Sequence, residues 1–139
     1  MDWKLELVIV PVSDVDRAKK FYVEQLGFHE DVDHSVGDSF RVVQLTPPGS
    51  ACSISIGIGL TKAEPGTYQG THLVVTDIEA ARAELVERGV EVSEPFHFGA
   101  QGQQPGVSPK RGDFESFLTF ADPDGNGWTV QEVGHNRRP

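Results

Sequence analysis

The sequence has little cysteine, no long apolar run and few basic residues. Cys52 is the only cysteine among 139 residues. No disulfide can therefore form within the chain, which fits a reducing compartment. No stretch of 18 apolar residues occurs, and no basic start is followed by an apolar segment. We therefore expect a cytoplasmic protein without a membrane partner.

The charge balance is acidic. Twelve Lys and Arg residues stand against 21 Asp and Glu, for a net charge of −9. This balance argues against nucleic acid or an anionic membrane as a partner, and it mildly favours a cationic over an anionic ligand. It also fits a surface that simply keeps the protein in solution. The 15 Gly and nine Pro residues predict many turns, as in a strand-rich protein.

The first half of the chain predicts one strand, one helix and three further strands. Residues 3–12 alternate and are rich in β-formers, which predicts a strand. In SDVDRAKKFYVEQLGF, Ser13 and Asp16 are spaced as a capping box, and Gly27 follows as a helix stop. Strands are predicted at 28–35, 39–46 and 51–58, separated by turn residues.

The second half repeats this order. A strand begins near residue 70, Thr76 and Glu79 form a second capping pair, and Gly89 ends the second helix. Strands follow at about 90–98, 115–121 and 127–133. The apolar face of the second helix stands 63 positions after that of the first: Ile78, Ala81 and Leu85 after Val15, Ala18 and Tyr22. The chain therefore reads as two β-α-β-β-β modules.

The modules and their connections divide the chain as follows. We predict one domain over residues 1–139, made of module 1 (1–58), a linker (59–69) and module 2 (70–135). Within module 2, residues 99–114 form a long stretch rich in Gly, Pro and Gln. Loops of this length in compact domains are usually functional lids or locally disordered.

The paired repeat, with SDVDRAKKFYVEQLGF early and FADPDGNGWTVQE late, resembles the vicinal oxygen chelate superfamily. This superfamily contains glyoxalase I, bleomycin resistance proteins and extradiol dioxygenases. The resemblance covers nearly the whole chain. It implies an α+β fold in which each module curls its sheet into a half-open cup and the two cups enclose a pocket. It also implies a homodimer.

The late motif predicts a tight turn at residues 122–125 that leads into the last strand. Side chains alternate along a strand, so Trp128 and Val130 should face the helices. Thr129 and Gln131 should then face the pocket.

The resemblance also implies where metal-using members hold their ligands. The corresponding positions here are Leu7, Gly70, Thr129 and one residue among Ser53, Ile54 and Ser55. None of them has a carboxylate or an imidazole, which a divalent metal would need. A register shifted by two residues brings in His72 and Gln131, an imidazole and an amide. We therefore predict no cofactor and disfavour a divalent metal.

The predicted pocket combines apolar residues with a few polar ones. His72 is the one catalytic candidate: it is either a pocket residue acting as a hydrogen-bonder, base or lone ligand, or a structural buried histidine. The two serines face either the pocket or solvent. The predicted ligand-binding residues are Leu7, Ile9, Gln44, Ser53, Ser55, His72, Val74, Thr129 and Gln131.

Other residues carry weaker alternatives. His97 either lines the pocket with Gln103, Gln104, Lys110 and Arg111 of the 99–114 stretch or is an exposed edge residue. Arg111 is also placed to form a surface pair with Asp113. The aromatic residues Trp3, Phe21, Tyr22 and Trp128 are predicted to pack in the core or in a dimer interface.

Three functions fit these observations. The preferred one is binding of a small organic molecule in the cup without a metal, as in a bleomycin resistance protein. The alternative is a lyase, isomerase or dioxygenase-type enzyme acting near a carbonyl, through a metal or through His72 as base. A third is a partner-binding module whose pocket is filled. The sequence leaves open whether the chain catalyses a reaction.

Overall fold

A computed structural model describes residues 1–137, which divide into two compact units. The first unit contains residues 1–68 together with 122–126. The second contains residues 69–121 and those from 127 onward.

The first unit is a four-stranded sheet with one helix. Its elements are β1 (Leu7–Ile9), α1 (Val15–Lys20), a π-helical segment (Phe21–Gln25), β2 (His29–Val36), β3 (Phe40–Thr46) and β4 (Ser53–Ile58). The sheet order is β1-β4-β3-β2, with β1 parallel to β4 and the other pairs antiparallel. A parallel pair needs a crossover connection, and α1 supplies it.

The second unit repeats this plan with one more strand. Its elements are β5 (Thr71–Val75), α2 (Ile78–Glu87), β6 (Phe96–Gly99), β7 (Gly102–Pro105), β8 (Ser116–Ala121), β9 (Gly127–Glu132) and a short 3-10 turn (His135–Arg137). The sheet order is β5-β9-β8-β6-β7, with β5 parallel to β9. The predicted α+β class is therefore confirmed. The β-α-β-β-β order holds in the first unit, and in the second it gains the strand β7.

Both helices begin one residue later than the capping boxes predicted. The side chain of Asp14 accepts from the backbone N–H of Arg17, and that of Asp77 accepts from Ala80, so these aspartates are the N-caps. Asp satisfies the free N–H groups of a first turn as well as Ser or Thr does. The helix stops are where they were expected: Gly27 and Gly89 have φ of 77° and 83°.

Each sheet buries one face against its helix. In the first unit the buried face carries Val43, Leu45, Ile54 and Ile56, and α1 with the π-helical segment contributes Ala18 and Tyr22. In the second unit the buried face carries Leu118, Phe120, Trp128 and Val130, with Ile78 from α2. The predicted orientation of Trp128 and Val130 is confirmed. The opposite face of each sheet is called its open face below.

Three strand predictions need correction. The strand expected at 3–12 shrinks to Leu7–Ile9, and Trp3 is 90% exposed, so its predicted place in the core is wrong. The strand expected at 90–98 forms only over Phe96–Gly99, after Pro95, which has no N–H for a ladder. The stretch 99–114 contains β7, whose glutamines lack the apolar alternation that would have predicted a strand.

Neither helix within residues 1–137 has the length and apolar character needed to cross a bilayer.

Candidate ligand-binding site

The turn at residues 122–126 belongs to the first unit and is held by a buried carboxylate. Asp122 Oδ1 accepts from the backbone N–H groups of Asp124 (3.0 Å) and Asn126 (2.9 Å). Its Oδ2 accepts from the Tyr22 hydroxyl at 2.8 Å. The backbone N–H of Gly125 donates to the Asp122 carbonyl at 2.9 Å, which closes the predicted tight turn.

Asn126 completes this arrangement. It is almost fully buried, and its Nδ2 donates to the Pro11 carbonyl and to Asp122 Oδ2, both at 2.8 Å. Its Oδ1 accepts from the Tyr68 N–H at 3.1 Å. Every polar atom of the side chain therefore makes a hydrogen bond. Through these bonds Asn126 connects Pro11, which follows β1, to Tyr68 and to Asp122. The asparagine of the DPDGN motif is therefore structural.

The open face of the first unit brings the predicted residues of that unit together. Leu7 lies opposite Ser53, Ile9 lies opposite Ser55, and Gln44 lies opposite Ser55 on the other side. Ser53 hydrogen-bonds to Thr46 at 2.6 Å and to Gln44 Nε2 at 3.4 Å. Both serines are buried, so they do not face solvent.

Ser55 differs from Ser53 in lacking a partner. Ser55 is 2% exposed, and its hydroxyl is the single buried side-chain N or O atom in residues 1–137 without a hydrogen bond. A buried hydroxyl without a partner costs free energy, so such atoms are rare and usually have an explanation.

The open face of the second unit brings together the four predicted residues of that unit. His72 lies opposite Thr129, and Val74 lies opposite Gln131. Val74 is 63% exposed and the two β9 residues are half-buried, so α2 does not cover them. On the neighbouring strand Thr119 lies opposite Thr129 and Phe117 lies opposite Gln131.

His72 is exposed and has a defined tautomer. Its Nδ1 lies 2.5 Å from the carbonyl oxygen of Gly70. A carbonyl can only accept, so Nδ1 carries the proton and Nε2 is left as the acceptor of the ring. Because His72 is exposed, the alternative of a buried structural histidine is wrong.

Three phenyl rings extend the open face of the second unit toward β6. The rings of Phe96 and Phe117 stack at 5.8 Å, and Phe98 meets both edge-on at 5.9 and 5.7 Å. Phe98 is nevertheless 62% exposed. Sequence analysis missed this cluster because the β6 strand was expected to begin before Pro95, which obscured the alternation of its side chains.

Two concave regions lie along this part of the second unit. A groove of about 570 Å³ is lined partly by Phe96, Thr119, Gln103 and Gln104. A pocket of about 470 Å³ is lined by His97, Phe98, Gly99, Ser108, Pro109, Lys110, Phe114, Glu115 and Phe117. His97 itself is half-buried and contacts the Gly106 carbonyl at 2.8 Å.

Arg111 was predicted either to line the pocket with His97 or to pair with Asp113, and its contacts differ from both predictions. Its Nε and one Nη bond both oxygens of Glu132, at 2.8 and 2.6 Å, and its other Nη bonds Glu79 at 2.8 Å. Glu132 is fully buried and also accepts from the Ile78 N–H at the start of α2 (2.8 Å). Burial alone would raise the pKa of Glu132, but the Arg111 guanidinium and this N–H outweigh it and lower the pKa.

This salt-bridge cluster contains the one close group of possible metal ligands within residues 1–137. The group consists of Asp77, Glu132 and His135. Arg111 Nη2 lies 2.6 Å from Glu132, 3.6 Å from Asp77 and 3.3 Å from His135 Nδ1. Because a guanidinium already sits among these atoms, they neutralise a side chain of the protein and do not fit a metal ion.

The positions that correspond to metal ligands on the open faces do not fit a metal either. They offer a leucine opposite a serine in the first unit and an imidazole opposite a threonine in the second. Gly70 has no side chain at all. This donor set lacks the carboxylates or paired imidazoles that catalytic metal sites use.

The comparisons with known proteins now decide the family. Residues 4–130 match the model of the Glyoxalase/Bleomycin resistance protein/Dioxygenase superfamily. The chain belongs to this superfamily. No curated protein sequence matches it significantly.

Solved structures agree with this membership of the superfamily. The chain is 32% identical to TnmS3, an antibiotic binding protein from Streptomyces sp. CB03234, with a TM-score of 0.74 over 95% of this chain and 97% of that one. It is 32% identical to a glyoxalase/bleomycin resistance protein from the same organism, with a TM-score of 0.71 over 93% and 100%. A superfamily member from Sphaerobacter thermophilus is 30% identical, with a TM-score of 0.72 over 94% and 98%.

Proposed function

We propose that this superfamily member binds a small organic molecule on an open sheet face without a metal. The observation that carries the proposal is the open face of the second unit. There His72, Thr129 and Gln131 form a polar row beside exposed Val74 and three phenyl rings, and the helix of that unit covers none of them. Apolar surface with a few placed polar groups is typical of small-molecule sites.

The antibiotic-binding relative supports the class of ligand. A protein 32% identical to this chain over nearly its whole length is described as antibiotic binding. We therefore propose an antibiotic-like organic compound as the ligand and sequestration as the role. The charge of −9 favours a neutral or cationic compound over an anionic one.

We further propose that the protein acts as a cytoplasmic homodimer. Every residue of the edge strand β2 is exposed, including apolar Val32 and Val36. An uncovered edge with apolar side chains is the kind of surface that a second chain can pair with. Sedimentation of the untagged protein should give twice the monomer mass; a monomer at high concentration would contradict this part.

The binding proposal is tested with a panel of antibiotics, bleomycin included, on protein stripped of metal with EDTA. A ligand that binds should raise the melting temperature, and calorimetry should then give its affinity. His72→Ala and Gln131→Ala should each weaken binding about threefold to tenfold, because each removes one hydrogen bond. Lys62→Ala, an exposed change in the linker, should leave the affinity unchanged.

Two outcomes would contradict the proposal. If binding appears only after Zn²⁺, Ni²⁺, Mn²⁺ or Fe²⁺ is restored, the proposal that no metal is needed is wrong. If mass spectrometry shows that the protein changes the ligand chemically, the alternative of a lyase, isomerase or dioxygenase-type enzyme is favoured. His72 Nε2, left as an acceptor by the bond of Nδ1 to Gly70, is the observation that keeps this second candidate in view.

A further inference from the structure

The loop of residues 108–114, called the Arg111 loop, holds an unusual backbone conformation. Arg111 and Phe114 have φ of 51° and 65°, and they are the two residues other than glycine with positive φ in residues 1–137. A side chain at such an angle is strained, and for a bulky residue the conformation is a true outlier. Strain of this kind persists where surrounding contacts enforce it, and it is concentrated at functional sites.

The contacts that enforce this conformation come from the ends of β9 and α2. Arg111 makes its two bonds to Glu132 and one to Glu79. The Phe114 N–H donates to the Glu132 carbonyl at 3.0 Å. Asp113 accepts from the Gly134 N–H at 2.7 Å, and Asn136 donates to the Lys110 carbonyl at 2.9 Å. The loop is therefore anchored along its length.

The loop directs a large aromatic side chain to solvent. Phe114 is 64% exposed, so packing of its ring cannot account for the strain at its backbone. It lines the 470 Å³ pocket together with Phe98, itself 62% exposed, and Phe117. Three rings thus border one concavity, and two of them are largely uncovered.

We propose that Phe98, Phe114 and Phe117 form a subsite for a neutral aromatic ring of the ligand, and that Arg111 positions Phe114 for it. This inference rests on the proposed binding function and names the chemistry that this part of the site recognises. Three rings among the lining residues suit stacking and edge-on contact with another ring. Lys110 and Glu115 also line the pocket, and their opposite charges balance each other.

The shape of the surface favours a small molecule over a second copy of the chain. The rings line a concavity, and its volume of about 470 Å³ lies within the range of small-ligand sites.

The test uses the whole chain, with 2-naphthol as aromatic probe and decahydro-2-naphthol as its saturated match. Amide NMR shifts locate each probe and give its affinity. We expect 2-naphthol to shift residues around 98, 114 and 117 and to bind at least fivefold more tightly than the saturated compound. Phe114→Gly should weaken it at least fivefold while keeping or raising the melting temperature, because glycine relieves the positive φ. Trp3→Ala, which removes an even more exposed ring elsewhere, should change neither the affinity nor the melting temperature.

Arg111→Lys tests the positioning role separately. Lysine keeps the charge but loses the two-pronged bond to Glu132, so affinity for 2-naphthol should fall at least threefold although all three rings remain. Should this variant fail to fold, Glu79→Gln, which weakens the third bond of Arg111 and keeps all three rings, tests the same role. An affinity for 2-naphthol that stays at the wild-type value in the variant that folds would overturn the positioning role of Arg111.

The outcomes separate this inference from the proposed function. Shifts confined to His72, Thr129 and Gln131, or an affinity unmoved by Phe114→Gly, would overturn the subsite and leave the binding function standing. Equal binding of the two probes would overturn its aromatic character. A dimer that Phe114→Gly converts to monomer would show the rings to be a subunit contact instead. An absence of shifts anywhere, with no antibiotic of the panel bound, would overturn both.

Discussion

The two units share one plan but use their open faces differently. In the first unit the open face carries Ser53 and Ser55, which are buried, and hydrogen bonds link Ser53 to its neighbours. In the second unit the same face carries phenyl rings, an exposed valine and a histidine with a free acceptor. Repetition of the backbone therefore does not repeat the surface. The second unit presents the more exposed apolar side chains on this face.

The units also differ in how they secure the end of their parallel strand pair. The first unit uses neutral partners around a buried aspartate, with Tyr22 and Asn126 as donors. The second uses a buried ion pair between Glu132 and Arg111 at the start of α2. Removing a neutral donor and removing a charged partner should have different effects on stability and on its pH dependence, which allows the comparison to be tested.

The largest effect is expected from Glu132→Gln. The amide leaves the guanidinium of Arg111 without its buried counter-charge, and loss of one partner of such a pair costs about 3 kcal/mol. Urea unfolding at pH 7 measures the loss. Glu84→Gln, which removes an exposed helical pair with Arg88, should cost no more than about 0.5 kcal/mol.

The same variant has a predicted pH dependence. The folded pKa of Glu132 is lowered from 4.5, so its contribution is fully present above pH 4.5 and is lost as the pH falls through the folded value. The difference in unfolding free energy between wild type and variant should therefore narrow below pH 4.5. A difference that stays constant down to pH 3 would mean that the ion pair is not what stabilises this end of the unit.

A smaller effect is expected from Asn126→Ala in the first unit. This change removes two donated bonds and one accepted bond at a buried position, so we expect a loss of about 2 kcal/mol. Because no charge is removed, the loss should be the same at pH 5 and pH 8. Gln101→Ala, an exposed control, should lose less than about 0.5 kcal/mol. Equal losses at the two positions would contradict the structural role of Asn126.

The smallest effect separates the two serines. Ser53→Ala removes a bonded hydroxyl and should cost about 1 kcal/mol, whereas Ser55→Ala removes one without a partner and should be neutral or stabilising. Thermal unfolding of both variants in parallel gives the order. A larger loss at Ser55 than at Ser53 would indicate a partner for Ser55, such as bound water.

Sequence predicted the backbone plan well because the plan depends on local patterns. The spacing of Val15, Ala18 and Tyr22 and its recurrence 63 positions later fixed both helices, and the glycines after them fixed their ends. The alternation of Trp128 to Gln131 placed those side chains on the correct faces. The prediction that Trp3 packs in the core was wrong because an alternating pattern does not show whether a neighbouring strand is present to pair with residues 3–6.

The site was less predictable because its key contacts join residues distant in sequence. Arg111 lies next but one to Asp113, the obvious partner, yet it bonds Glu132, 21 residues away. Arg111 and Phe114 both have positive φ in the Arg111 loop. Neither is a glycine, so the sequence carries no signal for this backbone conformation. Phe114 therefore looked like an ordinary loop residue.

The turn at residues 122–126 has a consequence for any attempt to divide the chain. The first unit takes five residues from a part of the sequence that lies beyond most of the second, and Asn126 holds them to Pro11. A gene cut between the repeats would therefore yield a first fragment that lacks these five residues. The repeat that is visible in the sequence is thus not a boundary at which the chain can be separated into two self-sufficient pieces.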